Sequence, residues 1–345
     1  IIFLKNKRRK MKQIQLSKPG GLENLKLTDT ENPSLKDNEV LLKVHASSLN
    51  YHDLMVALGL IPTEDKRVPL SDAAGEILEV GKDVSKWTVG DKVMSMCFPN
   101  WVSGPPKYDL LSFIGDNQDG YATELISIPE SAITKIPKNL NFKEAATLPC
   151  AGLTAWRALV DEGRLKSGET VLVQGTGGVS VFALQLAKTF GATVIATSSS
   201  DEKLEKLKSL GADHLINYKT HPEWGKEVLK ITNNEGVDHV VEVGGAGTFS
   251  ESVRCTKLAG HIALIGVLSG PSVSEIILPR IFLKQIRLSG IAMANQDSQI
   301  AMIDYLEKNE IKPEISDSFD LKDLGAAFQH QIDNKHFGKI SIDIG

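Results

Sequence analysis

The sequence predicts an α/β protein, with a doubly wound parallel sheet in the second half of the chain and a compact β-rich domain before it. Three observations carry this. The stretch Thr170 to Lys203 reads as strand, glycine turn, helix, strand. After it, apolar strands alternate with helical intervals to the end of the sheet region, as a parallel sheet requires. From Gln13 to Pro137, short apolar runs are punctuated by Gly, Pro and Asp, the texture of a small barrel.

The stretch from Thr170 organises the rest. Thr170-Val171-Leu172-Val173 is short, apolar and β-branched, as a strand buried on both faces should be. Gly175, Gly177 and Gly178 follow at once. Val179, Phe182, Ala183, Leu186 and Phe190 then recur at helical spacing, and Gly191 supplies the helix stop. Thr193 to Thr197 is the next strand. The first amides of a helix lack partners within it and carry partial positive charge, so a diphosphate docks there when no side chain intervenes. Gly175, Thr176, Gly177, Gly178 and Val179 are therefore the expected dinucleotide cradle, with Ser180 where the usual fingerprint has its third glycine. The second strand ends in Ser198-Ser199-Ser200, with Lys203 beyond, in place of the carboxylate that holds an unmodified ribose. Hydroxyls and a cation accept a 2′-phosphate, which predicts NADPH over NADH. Asp201 and Glu202 argue the other way, although acids at a helix start also answer the helix dipole.

Composition sets bounds. A chain of 345 residues suggests about two domains. The net charge of −4 gives no basic surface for nucleic acid. No apolar run reaches membrane-spanning length, so no membrane partner is expected. The three cysteines, Cys97, Cys150 and Cys255, are too few and scattered for a disulfide framework and fit a reducing, cytoplasmic setting. The first ten residues read as an extension upstream of a natural start at Met11; a basic targeting tail over Asn6 to Lys12 is the alternative.

In order, strands are expected at Val40–Ala46, Gly75–Gly81, Lys92–Met94 and Gly120–Ile126, with a long loop from Phe98 to Gly120. Phe142–Leu148 and Leu153–Val160 read as helices. Beyond the phosphate unit, strands at His214–Tyr218, Val237–Val243 and Gly260–Val267 alternate with helices at Glu223–Thr232, Thr248–Leu258 and Pro279–Leu283. Helices near Gln296–Asn309 and Leu321–Asn334, then a strand at Lys339–Asp343, close the chain.

Several motifs in sequence resemble the medium-chain dehydrogenase/reductase superfamily, most of all its zinc-free, quinone-oxidoreductase-like branch. They are Ser48-Leu49-Asn50-Tyr51-His52-Asp53, Asp72-Ala73-Ala74-Gly75, Gly90-Asp91-Lys92-Val93, Gly120-Tyr121-Ala122-Thr123, Leu148 to Trp156, the glycine turn, Gly211-Ala212-Asp213 and Gly338-Lys339-Ile340. The resemblance runs from about Met11 to Gly345. It implies a GroES-like β-barrel catalytic domain (11–137 and 285–345) around a Rossmann NADP-binding domain (138–284), with substrate and nicotinamide meeting in the cleft between them. Homodimerisation through the Rossmann sheet edge is a further implication.

Zinc alcohol dehydrogenases of the superfamily use Cys, His and Cys with a neighbouring Glu. At the matching positions this chain has Asn50, Ser71, Cys150 and Asp72. Asn and Ser are poor zinc ligands, so no catalytic metal is expected, and Cys150 is expected to be a small buried packing residue. The structural zinc lobe needs four close cysteines, and only Cys97 lies nearby. Without a Lewis acid, hydride addition to an already electrophilic acceptor remains feasible. Candidate catalytic residues are Asn50, as a hydrogen-bonding group, and Tyr51 or His52, as proton donors; His52 falls where zinc enzymes keep a hydroxyl relay. Leu60-Ile61 stands where enoyl reductases of the superfamily place a tyrosine. Further cofactor contacts are expected from Thr154, Tyr218, Gly244, Gly266, Val267, Asn295, Gly338 and Lys339. The leading expectation is a zinc-independent NADPH:quinone or activated-alkene reductase. An alcohol dehydrogenase, or a non-enzymatic NADPH-binding scaffold or redox sensor, are the alternatives.

Overall fold

A computed structural model describes residues 10–272, 276 and 278–345. Nine of the ten residues expected as an upstream extension lie outside them; the tenth, Lys10, begins the first strand. The chain divides into two compact units: the described residues up to Cys150 together with Asn295–Gly345, and Ala151–Ala294. Both divisions fall later in the chain than 137/138 and 284/285. Residues after Pro137 stay with the first unit because Phe142 stacks on His45 at 4.5 Å and Lys143 pairs with Asp343 at 2.7 Å.

In the first unit β1 (Lys10–Leu16) and β2 (Leu25–Glu31) pair antiparallel as a separate ribbon. β3 (Glu39–Ser48) is the spine of a seven-stranded sheet. Its Val40, Leu42, Val44 and Ala46 are fully buried on alternate positions, the period of a strand facing a core. Asn50 starts α1 (Tyr51–Ala57), and its backbone N–H donates to Asp53 Oδ2 at 3.0 Å. β4 (Ala74–Val80), β5 (Lys92–Ser95), β6 (Leu125–Pro129), β7 (Ile133–Lys135) and α2 (Phe142–Ala145) follow. The strand expected from Gly120 begins only at Leu125. Residues 120–122 instead hydrogen-bond across to Val68, Pro69 and Leu70. A Cβ on Gly120 would lie 2.2 Å from the Leu70 carbonyl oxygen, so the glycine serves this crossing rather than a strand.

The second unit opens with α3 (Leu153–Trp156), flanked by π-helical turns at Leu148–Gly152 and Arg157–Asp161. β8 (Thr170–Gln174), α4 (Gly178–Thr189), β9 (Thr193–Ser198), α5 (Asp201–Ser209), β10 (His214–Asn217), α6 (Trp224–Ile231), β11 (Val237–Glu242), α7 (Phe249–Cys255), β12 (Thr256–Leu264), α8 (Leu278–Leu283) and β13 (Arg287–Gly290) complete it. The sheet is wholly parallel, in the order β10-β9-β8-β11-β12-β13. Its winding therefore reverses between β8 and β11, the place where open α/β sheets bind ligands. The chain then returns to the first unit with α9 (Gln296–Lys308), β14 (Ile315–Asp320), α10 (Leu324–Ile332) and β15 (Lys339–Asp343), which pairs with β3. Each unit has its own apolar core, one around Leu42, Ile77, Tyr121 and Phe328, the other around Leu172, Ile195, Val240 and Ile262.

One carboxylate fixes the reversal point. Glu242, fully buried at the end of β11, accepts the backbone N–H groups of Gly244 and Gly245, each at 2.9 Å, and the Thr248 hydroxyl. Its other oxygen accepts Gln174 Nε2, at 2.9 Å from the end of β8, and the Ser252 hydroxyl. A carboxylate accepts only, so five donors can converge on it without conflict. Glu242→Gln puts an amide donor among those donors. We expect it to lower unfolding stability by about 2 kcal/mol in urea titrations, the cost of buried donors left unpaired.

Candidate active site

The glycine turn sits at the reversal point. Gly175 has φ +71°, a conformation that disfavours side chains, and its N–H donates to Thr197 O at 2.8 Å. Gly177 is different. It caps α4 at φ −76°, which any residue can adopt, and a Cβ there would meet nothing within 4 Å. Neither conformation nor protein packing demands glycine at 177, so open room above the helix start remains the reason. Gly178 and Val179 begin α4 and are partly exposed, while Thr176 is 7% exposed. Ser180 does more than substitute for a small residue: buried, it donates to Gln174 O at 2.6 Å and ties α4 to β8. This turn fits a dinucleotide diphosphate. Thr154 is buried on α3, which packs against α4.

At the end of β9, Ser198 is 3% exposed and its Oγ accepts Ser200 N at 3.3 Å. Ser200 caps α5 by accepting Lys203 N. Burial pulls the Lys203 ammonium below the usual lysine range, with Lys206 adding to the effect. Asp201 is held by Asn217 Nδ2 at 2.6 Å, and Glu202 pairs with Lys206 at 3.2 Å. Both acids that argued against a 2′-phosphate thus have partners of their own. Tyr218 is 40% exposed just past β10. Gly244 follows β11, and Gly266 and Val267 follow β12; a Cβ on Gly266 would lie 2.4 Å from Val243 O, so that glycine answers a close backbone approach.

Three expected cofactor contacts have other work in the first unit. Asn295 caps α9, its Oδ1 accepting Ser298 N at 2.9 Å while Nδ2 donates to Gly104 O. Gly338 takes φ +71° with its Cβ position 2.3 Å from Glu314 O. Lys339 points inward. It is 3% exposed, and Nζ donates to Leu49 O at 2.6 Å and Asn50 Oδ1 at 2.5 Å, 3.7 Å from Asp72 Oδ2. Its fixed, buried ammonium is a counter-ion for Asp72.

Asn50 and Asp72, two of the four positions matched above to zinc ligands, face that ammonium, and Ser71, a third, bonds to Asn50. Asn50 Nδ2 donates to Asp72 Oδ2 at 2.8 Å and to Ser71 Oγ at 3.2 Å. Ser48 Oγ donates to the same Asp72 oxygen at 2.7 Å, and the Cys97 thiol lies 3.6 Å from the other. Burial pushes the Asp72 carboxyl up, with Lys339 the chief group pulling it back. Burial also raises the Cys97 thiol, and neighbouring Cys150 adds to this. Cys150 is partly exposed rather than the buried packing residue expected. Among the described residues no group of three or more His, Cys, Asp or Glu side chains is placed to hold a metal ion. A dication would meet an ammonium already in residence and an amide and hydroxyl that ligate poorly, so these residues do not fit zinc.

Beside this cluster, Asn50 is buried, Tyr51 is 40% exposed, and His52 has a 31% exposed side chain. His52 Nε2 lies 2.8 Å from Asp116 Oδ2, and its ring rests on Phe113 with centroids 4.1 Å apart.

Comparison with known proteins agrees with both units. Residues 36–138 match the alcohol dehydrogenase GroES-like domain, and residues 178–308 match the zinc-binding dehydrogenase family. A zinc-type alcohol dehydrogenase-like protein of Schizosaccharomyces pombe is 41% identical over 94% of this chain and 96% of its own. The chain belongs to the medium-chain dehydrogenase/reductase superfamily. It is an NAD(P)H-dependent oxidoreductase of that superfamily. An acryloyl-coenzyme A reductase of Sulfurisphaera tokodaii is 28% identical over 94% of this chain and 98% of its own. The quinone oxidoreductase of Coxiella burnetii superposes with a TM-score of 0.78 at 29% identity, covering 98% of this chain and all of that one.

Within this dehydrogenase/reductase the sequence reading missed Asp116, Glu242 and the inward turn of Lys339. Asp116 lies in the long loop, 64 residues from His52, with no periodicity to mark it. Glu242 ends an apolar strand, and an acid there reads as a surface residue until its five donors are seen. One titration follows from the polar cluster. Burial first, then the charge of Asp72, pushes Asp53 from 3.8 up to about 6. The folded state then binds more protons than the unfolded one between these values. Stability from this group is present below about pH 4 and is lost as pH rises through 6. Asp53→Asn keeps the acceptor for Asn50 N but removes the charge. Relative to the parent it should gain up to about 3 kcal/mol between pH 4 and pH 8, read from unfolding midpoints across that range.

Proposed function

We propose that this oxidoreductase uses NADPH to reduce a quinone or an alkene conjugated to a carbonyl, without zinc. The observation that carries this is the replacement of a metal-binding set by a hydrogen-bonded cluster with Lys339 at its centre. With no metal to polarise a carbonyl, the acceptor must bring its own electrophilicity. Quinones and conjugated alkenes do so, and relatives named for each chemistry match over nearly the whole chain.

The glycine turn and the start of α4 would hold the diphosphate, and Thr154, Gly244, Gly266, Val267 and Tyr218 lie on the elements that would flank the rest of the cofactor. Ser198 and Ser200, with Lys203, would receive the 2′-phosphate, while Asp201 and Glu202 are occupied by Asn217 and Lys206. When bound, the nicotinamide supplies hydride; the chain supplies orientation, a dry setting and one proton. His52 is the proton donor in this reading, because its ring is accessible and already held by a carboxylate.

NADPH should bind at least tenfold more tightly than NADH by calorimetry, and Lys203→Ala should remove most of that preference, about tenfold being one charge-assisted contact. Turnover is expected with quinones or enones, from protein free of stoichiometric zinc by metal analysis. The zinc-type alcohol dehydrogenase-like relative favours a second reading; aldehyde turnover tracking bound zinc would replace the first with it. Tight NADPH binding with no turnover across the acceptor panel would favour a scaffold or redox sensor.

The partner in this reading is a second copy of the chain, in the cytoplasm, with neither nucleic acid nor membrane involved. Among the described residues β13 has no strand on its outer side, and Leu288 on it and Leu278, Phe282 and Leu283 on the preceding α8 are exposed. Pairing of two such edges about a two-fold axis would cover both. Light scattering should give twice the 37.5 kDa chain mass, and Leu288→Lys with Phe282→Glu should halve it.

A further inference from the structure

We propose that the nucleotide-binding unit carries a second anion site, at the amino ends of its strands, which takes a small organic phosphate. The site depends on neither the cofactor preference nor the acceptor proposed above. A cavity of about 290 Å³ opens there, lined by residues of the Ala151–Ala294 unit alone. It lies beside Glu169, just before β8, whereas the glycine turn follows the other end of that strand. The five residues of β8 put roughly 17 Å between the two.

Three cations line the cavity: Arg164, Lys166 and Arg287. Among the described residues none of them pairs with a carboxylate; Arg287 Nη1 donates to the Glu162 backbone oxygen at 3.3 Å. The two acids on the wall are already engaged. Glu169 accepts Lys166 N at 2.8 Å and lies 2.9 Å from His239 Nε2. Asp238 accepts Thr170 N at 2.9 Å and has Lys257 Nζ 3.5 Å away. The three cations are therefore left for a ligand. Guanidinium forks match phosphate oxygens two at a time, and an ammonium adds a point charge.

Two left-handed residues shape the wall. Arg164 sits at φ +55° and Ala259 at φ +58°, where a side chain is disfavoured. A helix end usually gives such a position to glycine. Here the glycine falls one residue early: a Cβ on Gly163 would lie 2.5 Å from Leu159 O, so close packing takes the glycine and the strained position is left to arginine. Ala259 belongs to a bulge. From the pair Val237–Thr256 to the pair His239–His261, β12 advances five residues while β11 advances two. The surplus chain brings Leu258 and Ala259 to the cavity wall, held by Ala259 N donating to Lys284 O at 2.7 Å. Strained residues and bulges gather where backbone is shaped for a ligand. Leu258 is 64% exposed on that bulge. An apolar side chain kept in water beside three cations fits a ligand whose phosphate carries an organic group.

Calorimetry on the full chain tests this with phenyl phosphate, against inorganic phosphate and benzoate. Phenyl phosphate should bind about tenfold more tightly than benzoate, and Leu258→Ser should reduce it to the level of inorganic phosphate. Arg164→Gly should weaken phenyl phosphate about tenfold, one charge-assisted contact. The urea midpoint of that variant should equal or exceed the parent's, because glycine suits the left-handed position. Lys166→Gln alters an exposed side chain on ordinary backbone; it should also weaken binding, and it decides the matter should Arg164→Gly fold poorly. No heat at millimolar phenyl phosphate overturns the site. So does binding that ignores these variants but is displaced by saturating nicotinamide nucleotide, since that places the ligand at the glycine turn. Equal affinity for benzoate and phenyl phosphate overturns phosphate as the chemistry recognised.

Discussion

The architecture of the nucleotide-binding unit depends on satisfying backbone amides where a parallel sheet reverses its winding. At that point two strands diverge and their connections must leave without a ladder partner. Glu242 solves this with one buried carboxylate that gathers two amides, two hydroxyls and a glutamine from the neighbouring strand. Gln174 passes the constraint on, since its backbone carbonyl accepts Ser180 and its side chain reaches Val243 N. The phosphate turn, α4 and the loop after β11 are thus locked to one another. A turn fixed in this way can leave its amides open to a ligand without collapsing onto them.

The other unit meets a different electrostatic problem with the same economy. Two carboxyls, Asp53 and Asp72, are buried; burial raises the proton affinity of both, and the charge of Asp72 raises that of Asp53 further. Such charge needs a cation to balance it. Here Lys339 does so from β15, pinned by two oxygens of the segment between β3 and α1. Because β15 pairs with β3, the ammonium arrives from the neighbouring strand, and the closing strand of the chain completes a cluster begun near residue 48. Breaking a buried pair of this kind leaves a charge stranded, so the metal positions are structurally committed to the hydrogen-bonded arrangement.

Much of this was legible beforehand. The phosphate turn, the alternation of strands and helices and the closing strand at Lys339 each rest on local patterns of glycine, apolar period and length. The strand expected at Gly120 was misplaced because glycine there serves a close crossing with Leu70, a long-range contact that mimics a strand start. β2 and the short β13 and β14 escaped notice because their exposed or half-exposed faces weaken the alternation that marks a strand, and β1 because the buried polar Gln13 interrupts its apolar period. Lys339 was expected at the cofactor from the family resemblance alone; the inward direction of its side chain depends on β15 pairing with β3.

The sequence by itself determined the two-part α/β architecture and the glycine turn, because these follow from residue type and spacing along a few adjacent turns of chain. Only the tertiary structure decided what balances the buried acids, what braces the sheet's reversal and what holds His52. Each of those depends on at least one contact between segments 64 or more residues apart, and such partners are chosen by which strands and loops meet, a choice that local pattern does not encode.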